Sequence, residues 1–192
     1  MKNMRVTILL AVILVLALVA TACAPEEPRP APAPTPKVEE SPEIDNMSQN
    51  TDGMDHDPAP DFTLKGFDDQ EHKLSDNYEN VVVLNFWAVG CPPCVSEMPD
   101  LDKINDLDYA TVITVAPNGV LGNEYEQSKN FIQKFGTVAL WDEDRSTLDL
   151  YPSQYFPHTY VIDRTGTIRY AIRGGTTYDA LKEKVDKVNE LG

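Results

Sequence analysis

Two apolar patterns alternate along the C-terminal two-thirds of this chain. One is a continuous run, the mark of a strand buried on both faces. Residues 81–87 read VVVLNFW, and residues 111–116 and 138–141 are shorter runs of the same kind. The other pattern recurs at helical spacing. Val95, Met98, Leu101, Ile104 and Leu107 predict a helix over 92–107. A second helix is predicted over 124–135, with Gly136 as its C-cap. A short helix follows over 145–150. The last covers 178–191, with Leu181, Val185, Val188 and Leu191 on one face. Residues 61–64 and 71–74 flank a Gly66-Phe67-Asp68-Asp69 turn, an N-terminal β-hairpin. Residues 159–163 and 167–172 flank Arg164-Thr165-Gly166, a second hairpin. Strands alternating with helices, then a hairpin and a closing helix, predict an α/β fold: a central mixed sheet flanked by helices.

The first 58 residues follow neither pattern. Lys2 and Arg5 precede an apolar run from Val6 to Ala20 that is broken only by Thr7. About 15 residues is short of the roughly 20 a membrane span needs, and it suits the core of a signal peptide. Ala20, Thr21 and Ala22 before Cys23 resemble a bacterial lipobox, with Ala20 in place of the usual bulkier residue. Residues 1–22 are therefore expected to be a lipoprotein signal peptide, and Cys23 the lipidated residue. Residues 23–58 alternate Pro and Ala with acidic residues, which cannot bury enough apolar area to offset chain entropy. They are expected to be a disordered linker, semi-rigid in its Pro-rich half. His56 and its acidic neighbours read as solvated linker, not as a metal cluster. The folded domain is then 59–192.

Charge narrows the function. Sixteen Lys and Arg against 31 Asp and Glu give −15. Such a chain is repelled by phosphate backbones, so nucleic acid is excluded as a partner. Loss of Lys2 and Arg5 with the signal peptide would take the charge to −17, leaving anchorage to the lipid alone.

The candidate chemistry is Cys91-Pro92-Pro93-Cys94. Cysteines at i and i+3 opening a helix share one side of its first turn, close enough for a disulfide. The free N–H groups and positive dipole end there favour thiolate over thiol, and the thiolate is the nucleophile. Proline at the first helical position costs no hydrogen bond. Cys91 is thus the expected nucleophile and Cys94 the resolving thiol. A structural zinc site would need a second ligand pair, which the chain lacks, so no metal or other cofactor is expected. Haem attachment fails because Val95, not histidine, follows Cys94. A structural disulfide is open to an exported protein, but a four-residue loop would be a poor staple.

Phe86-Trp87-Ala88-Val89-Gly90-Cys91-Pro92-Pro93-Cys94, followed by Glu97-Met98-Pro99, resembles the membrane-anchored thiol–disulfide oxidoreductases of the thioredoxin-like TlpA/ResA type. Ala59–Leu64 resembles the family's entry segment. Phe156-Pro157-His158-Thr159-Tyr160-Val161-Ile162-Asp163 resembles its cis-proline loop and following strand. The resemblance implies a thioredoxin fold and thiol–disulfide exchange. It implies a cis Pro157 facing the cysteines, with Phe156, Trp87 and His158 around a substrate groove. Asn85 stands where thioredoxin has a buried aspartate, and the resemblance gives Glu97 the proton transfer at Cys94. Pro99 would kink the helix. His158, where relatives have threonine, would tune the cysteine pair or be a strand-edge residue without a role. Gly90 replaces a larger residue and would open the groove.

The resemblance further implies an extracytoplasmic, lipid-anchored reductase. Its clients would be exported proteins with disulfides, apocytochrome c among them. Its donor would be an integral-membrane carrier of the CcdA/DsbD type. An oxidant that inserts disulfides is the alternative direction. A peroxiredoxin-like peroxidase is a third reading, opposed by Ala88 where its threonine belongs.

Overall fold

The computed structural model describes residues 57–192. The signal segment, Cys23 and the linker as far as His56 lie outside the described residues. Two strands open the fold, β1 (Thr63–Gly66) and β2 (Glu71–Lys73). Then β3 (Val81–Phe86) leads into helix α1 (Pro92–Asn105), and β4 (Ala110–Pro117) into α2 (Tyr125–Ile132). After β5 (Val138–Asp142) comes the short α3 (Ser146–Leu150). The hairpin β6 (His158–Ile162) and β7 (Ile168–Arg173) precedes α4 (Tyr178–Asn189). The strands form one sheet in the order β2-β1-β5-β4-β3-β6-β7. The three central strands run parallel; β6, β7 and the β1–β2 hairpin are antiparallel to their neighbours. This is the thioredoxin fold carrying an extra N-terminal hairpin.

The continuous runs became the central strands because both sheet faces are covered. All six side chains of β3 are buried. Each such Val, Leu or Phe contributes about 1.5–3 kcal/mol of burial. On one face Val81 and Val83 meet Met98, Leu101 and Ile104 of α1, Ile132 of α2 and Leu181, Val185 and Val188 of α4. On the other, Val82, Leu84 and Phe86 meet Tyr160, Tyr151, Phe62 and Leu74. Residues before β1 join the sheet region too: Ile168 N donates to Asp57 O and Ala59 N to Gly166 O.

Several boundaries differ from the sequence expectation, each because side chains intervene. The first strand begins at Thr63, not Asp61, because the Asp61 carboxylate accepts bonds from Phe62 N, Ser75 N and Ser75 Oγ. Gly136 is not the cap of α2. That helix ends at Ile132 with Gln133 as C-cap. Gly136 is instead held by α1, its N–H donating to Asp102 Oδ1 at 2.7 Å and its carbonyl accepting from Asn105 Nδ2 at 3.0 Å. Helix α1 runs through Pro99 and stops at Asn105, whose carboxamide oxygen accepts from Val112 N.

Candidate active site

The buried strand β3 ends at Phe86 and delivers the chain into a tight loop before α1. Cys91 is the N-cap of α1, in extended conformation, and its Sγ accepts from Cys94 N at 3.3 Å. Pro92 and Pro93 occupy the first helical positions, where no backbone donor is lost. Cys91 and Cys94 are joined by a disulfide with Cα atoms 5.3 Å apart. Cys91 is 3% exposed and Cys94 is fully buried. Both lie in the apolar cluster that contains Trp87. Trp87 packs on Phe131 at 5.3 Å, and its Nε1 has no hydrogen-bond partner among the described residues.

Glu97 sits one turn beyond Cys94 on α1 and is only 3% exposed. Its Oε1 accepts from Asn85 Nδ2 at 2.9 Å and its Oε2 from Thr176 N at 3.0 Å. Burial pushes its pKa up to about 7, against the downward pull of those two bonds. Asn85 also donates to Thr159 Oγ1 at 2.9 Å. A polar chain thus runs through the core from β6 through β3 to α1.

Phe156–Pro157 is a cis peptide. Pro157 is buried and Phe156 is half-buried, touching both apolar clusters. The Pro157 carbonyl accepts from Gly174 N at 2.9 Å. The next residue, Gly175, lies so close to α1 that an added Cβ would stand 3.5 Å from Pro93 Cβ and 3.9 Å from Glu97 Oε2. Residues 174–176 therefore link the cis-proline loop to the cysteine helix. Sequence reading passed over this segment; its adjacent glycines after a strand were the available signal.

His158 lies elsewhere. On β6 it pairs with Phe86, while Thr159 pairs with Asn85. Successive strand residues face opposite sides, so His158 points away from the face on which Asn85 meets Glu97. Its ring stacks on Tyr160 at 4.4 Å, Nδ1 stands 3.4 Å from Tyr160 Oη, and Nε2 has no partner among the described residues. Burial, with Arg173 nearby, lowers its pKa to about 4. Gly90 does not leave an opening. A Cβ there would stand 2.0 Å from the Leu121 carbonyl oxygen.

A thioredoxin fold with a closed CxxC disulfide at a helix N-terminus defines a thioredoxin-like redox protein. More narrowly, the chain belongs to the AhpC/TSA family, whose model matches residues 56–171. Among curated proteins it is similar to the thiol-disulfide oxidoreductase ResA of Geobacillus thermodenitrificans, with 28% identity over 132 residues, covering 68% of this chain and 75% of that one. It is also similar to the thioredoxin-like protein YneN of Bacillus subtilis, 31% identical over 134 residues, covering 67% and 76%. Among solved structures it resembles the pneumococcal exposed lipoprotein thioredoxin Etrx1 of Streptococcus pneumoniae. There the identity is 30%, the TM-score 0.58, and the coverage 67% of this chain and 99% of that one.

Proposed function

We propose that this thiol–disulfide oxidoreductase acts outside the cytoplasm as a reductant of disulfides in exported proteins. The observation that carries the reading is the pairing of a helix-capping Cys91 with a buried Glu97 one turn past Cys94. In the reduced protein the Cys91 thiolate attacks a client disulfide sulfur. A mixed disulfide forms, and the released client thiolate takes a proton from solvent. Cys94 then gives its proton to the Glu97 carboxylate and attacks Cys91 Sγ. The second client thiolate leaves, and the Cys91–Cys94 disulfide closes. Two electrons have passed to the client, and an external dithiol must return them. Pro157 and Phe156 border the groove that receives the client chain, with Trp87 closing its apolar floor.

Lipidation at Cys23 would tether the domain through the 23–58 linker. The similarity to a protein described as an exposed lipoprotein supports that placement. Clients with CxxCH thiols, such as apocytochrome c, and a CcdA/DsbD-type donor complete the reading.

The test is the reduction potential of the Cys91–Cys94 pair, measured together with insulin reduction. A potential near about −270 mV supports a reductant; one near about −120 mV makes it an oxidant. Cys94→Ala should trap a client on Cys91, and Cys91→Ser should abolish exchange. Trapping through Cys94 instead would reverse the assignment.

A further inference from the structure

Asn123 lies in the loop between β4 and α2, yet it is fully buried. Its amide is used from both ends. Oδ1 accepts from Val89 N at 2.9 Å and from Ser128 Oγ at 3.3 Å. Nδ2 donates to Trp87 O and to Pro117 O, each at 3.1 Å. Two of these partners flank Ala88. The Ala88 carbonyl in turn accepts from Cys91 N at 3.2 Å. The bonds thus run in a short series from Asn123, across residues 87–89, to the backbone of Cys91.

The same loop meets the cysteine loop at a second point. The Leu121 carbonyl fills the space where a side chain at residue 90 would begin. Leu121 itself is 53% exposed and holds a left-handed backbone at φ 45°, between Gly119 and Gly122, both also at positive φ. A non-glycine residue kept in that region is strained and persists only where its surroundings enforce it. Here the turn is closed by backbone bonds, Asn123 N donating to Val120 O and Gly119 N to Asn123 O, each at 2.9 Å, and Gly90 leaves room for the Leu121 carbonyl.

We propose that Asn123 is a positioning residue for the redox centre: it fixes the 87–89 backbone so that the Cys91 sulfur stays at the N-terminus of α1. The helix end stabilises a thiolate only over its first turn, and the effect depends on where the sulfur sits. A loosened 87–89 segment lets Cys91 leave the cap position and gives up part of that stabilisation. Asn123 touches no client and transfers no proton. It acts through residues 87–89 alone.

This inference rests on the reading of Cys91 as the attacking thiolate, and the experiment separates the two. The full reduced protein is titrated by thiolate absorbance, and its exchange rate is measured with a small aromatic disulfide. A wild type in which Cys91 titrates no lower than a free cysteine sinks the basic reading. Given a lowered wild-type titration, Asn123→Ala should raise the Cys91 midpoint by about one pH unit and slow exchange at pH 7 about twofold, the lost thiolate fraction being partly offset by a more basic sulfur. Asn123→Asp preserves the shape and the acceptor but removes the amide donors. It should move the midpoint the same way, and it decides the matter if the alanine variant does not fold. Thr147→Ala, which removes the hydrogen bond from Thr147 Oγ1 to Asp142 Oδ2 at the start of α3, should lose stability without moving the titration. The inference is overturned if Asn123→Asp titrates and exchanges as wild type. It is overturned equally if Thr147→Ala shifts Cys91 as far.

Discussion

Glu97 and His158 are both buried ionisable side chains reached through the same pair of strands, but on opposite sheet faces. Asn85 and Thr159, paired across β3 and β6, connect to Glu97; the neighbouring pair, Phe86 and His158, faces the aromatic cluster. Burial opposes the charged form in each case, so the carboxyl rises to about 7 and the imidazole falls to about 4. The outcome differs because the surroundings differ. Glu97 has two donors, Asn85 Nδ2 and Thr176 N, that support its anion, which leaves it balanced near neutral pH. Among the described residues His158 has one polar contact, the 3.4 Å approach of Nδ1 to Tyr160 Oη, and it is neutral near pH 7. A group balanced at the working pH can take and return a proton; one that is neutral throughout can only pack.

The two shifts act on stability in opposite senses. Glu97 titrates in the fold above its ordinary value of 4.5. The folded state therefore holds more protons than the unfolded chain between about pH 4.5 and 7, and Glu97 makes stability fall as pH rises through that window. His158 titrates below its ordinary 6.5, so it makes stability rise with pH between about 4 and 6.5. The two slopes offset each other over most of their range. The largest expected effect comes from breaking the pair on the Glu97 side. Glu97→Gln should slow exchange about a hundredfold. It should also gain stability relative to wild type, by less than about 1 kcal/mol at pH 5 and by on the order of 3 kcal/mol at pH 8. Stopped-flow exchange and urea unfolding across pH measure both. An unchanged rate would remove Glu97 from the reaction.

A smaller effect is expected one bond away. Asn85→Ala deletes a donor that holds the Glu97 pKa down, so the carboxyl should titrate higher still. Exchange at pH 7 should fall about fivefold, about 1 kcal/mol, the scale of one ordinary hydrogen bond. The rate should recover as pH rises and Glu97 ionises. A uniform loss at every pH would instead show that Asn85 is only core packing.

These two residues also show how far the sequence could be read. The continuous apolar run of β3 and the CxxC after it required no tertiary information; spacing along α1 put Glu97 one turn past Cys94, but its role came from the family resemblance. Asn85 was placed by the resemblance to thioredoxin, not by any local signal. His158 was expected beside the groove because it follows Pro157; strand alternation, applied to Thr159 and Asn85, would have turned it to the other face. Asn123 was invisible. An asparagine among glycines reads as a solvated turn, and only the close approach of two loops reveals what it holds. Gly136 was misread for a related reason. A glycine after a helical stretch implies a cap, but α1 supplies its partners from 31 and 34 residues away.

The smallest expected effect on rate lies at His158. Its ring fills space against Tyr160, with Tyr151 and Phe86 in the same cluster, and phenylalanine would keep most of that packing. The charge that burial forbids would be gone, and with it the imidazole paired with Arg173 across the β6–β7 ladder. His158→Phe should therefore exchange within about twofold of wild type, a difference of less than about 0.5 kcal/mol. Its stability should no longer be eroded as pH falls from 6.5 towards 4. The unopposed Glu97 slope would then appear, so that the variant grows more stable as the medium is acidified from pH 7 to 4.5. Unfolding midpoints at four or five pH values, beside those of Glu97→Gln, should give slopes of opposite sign. If the His158 variant instead loses exchange activity with its unfolding unchanged, the imidazole reaches the cysteines by a route the oxidised structure does not contain.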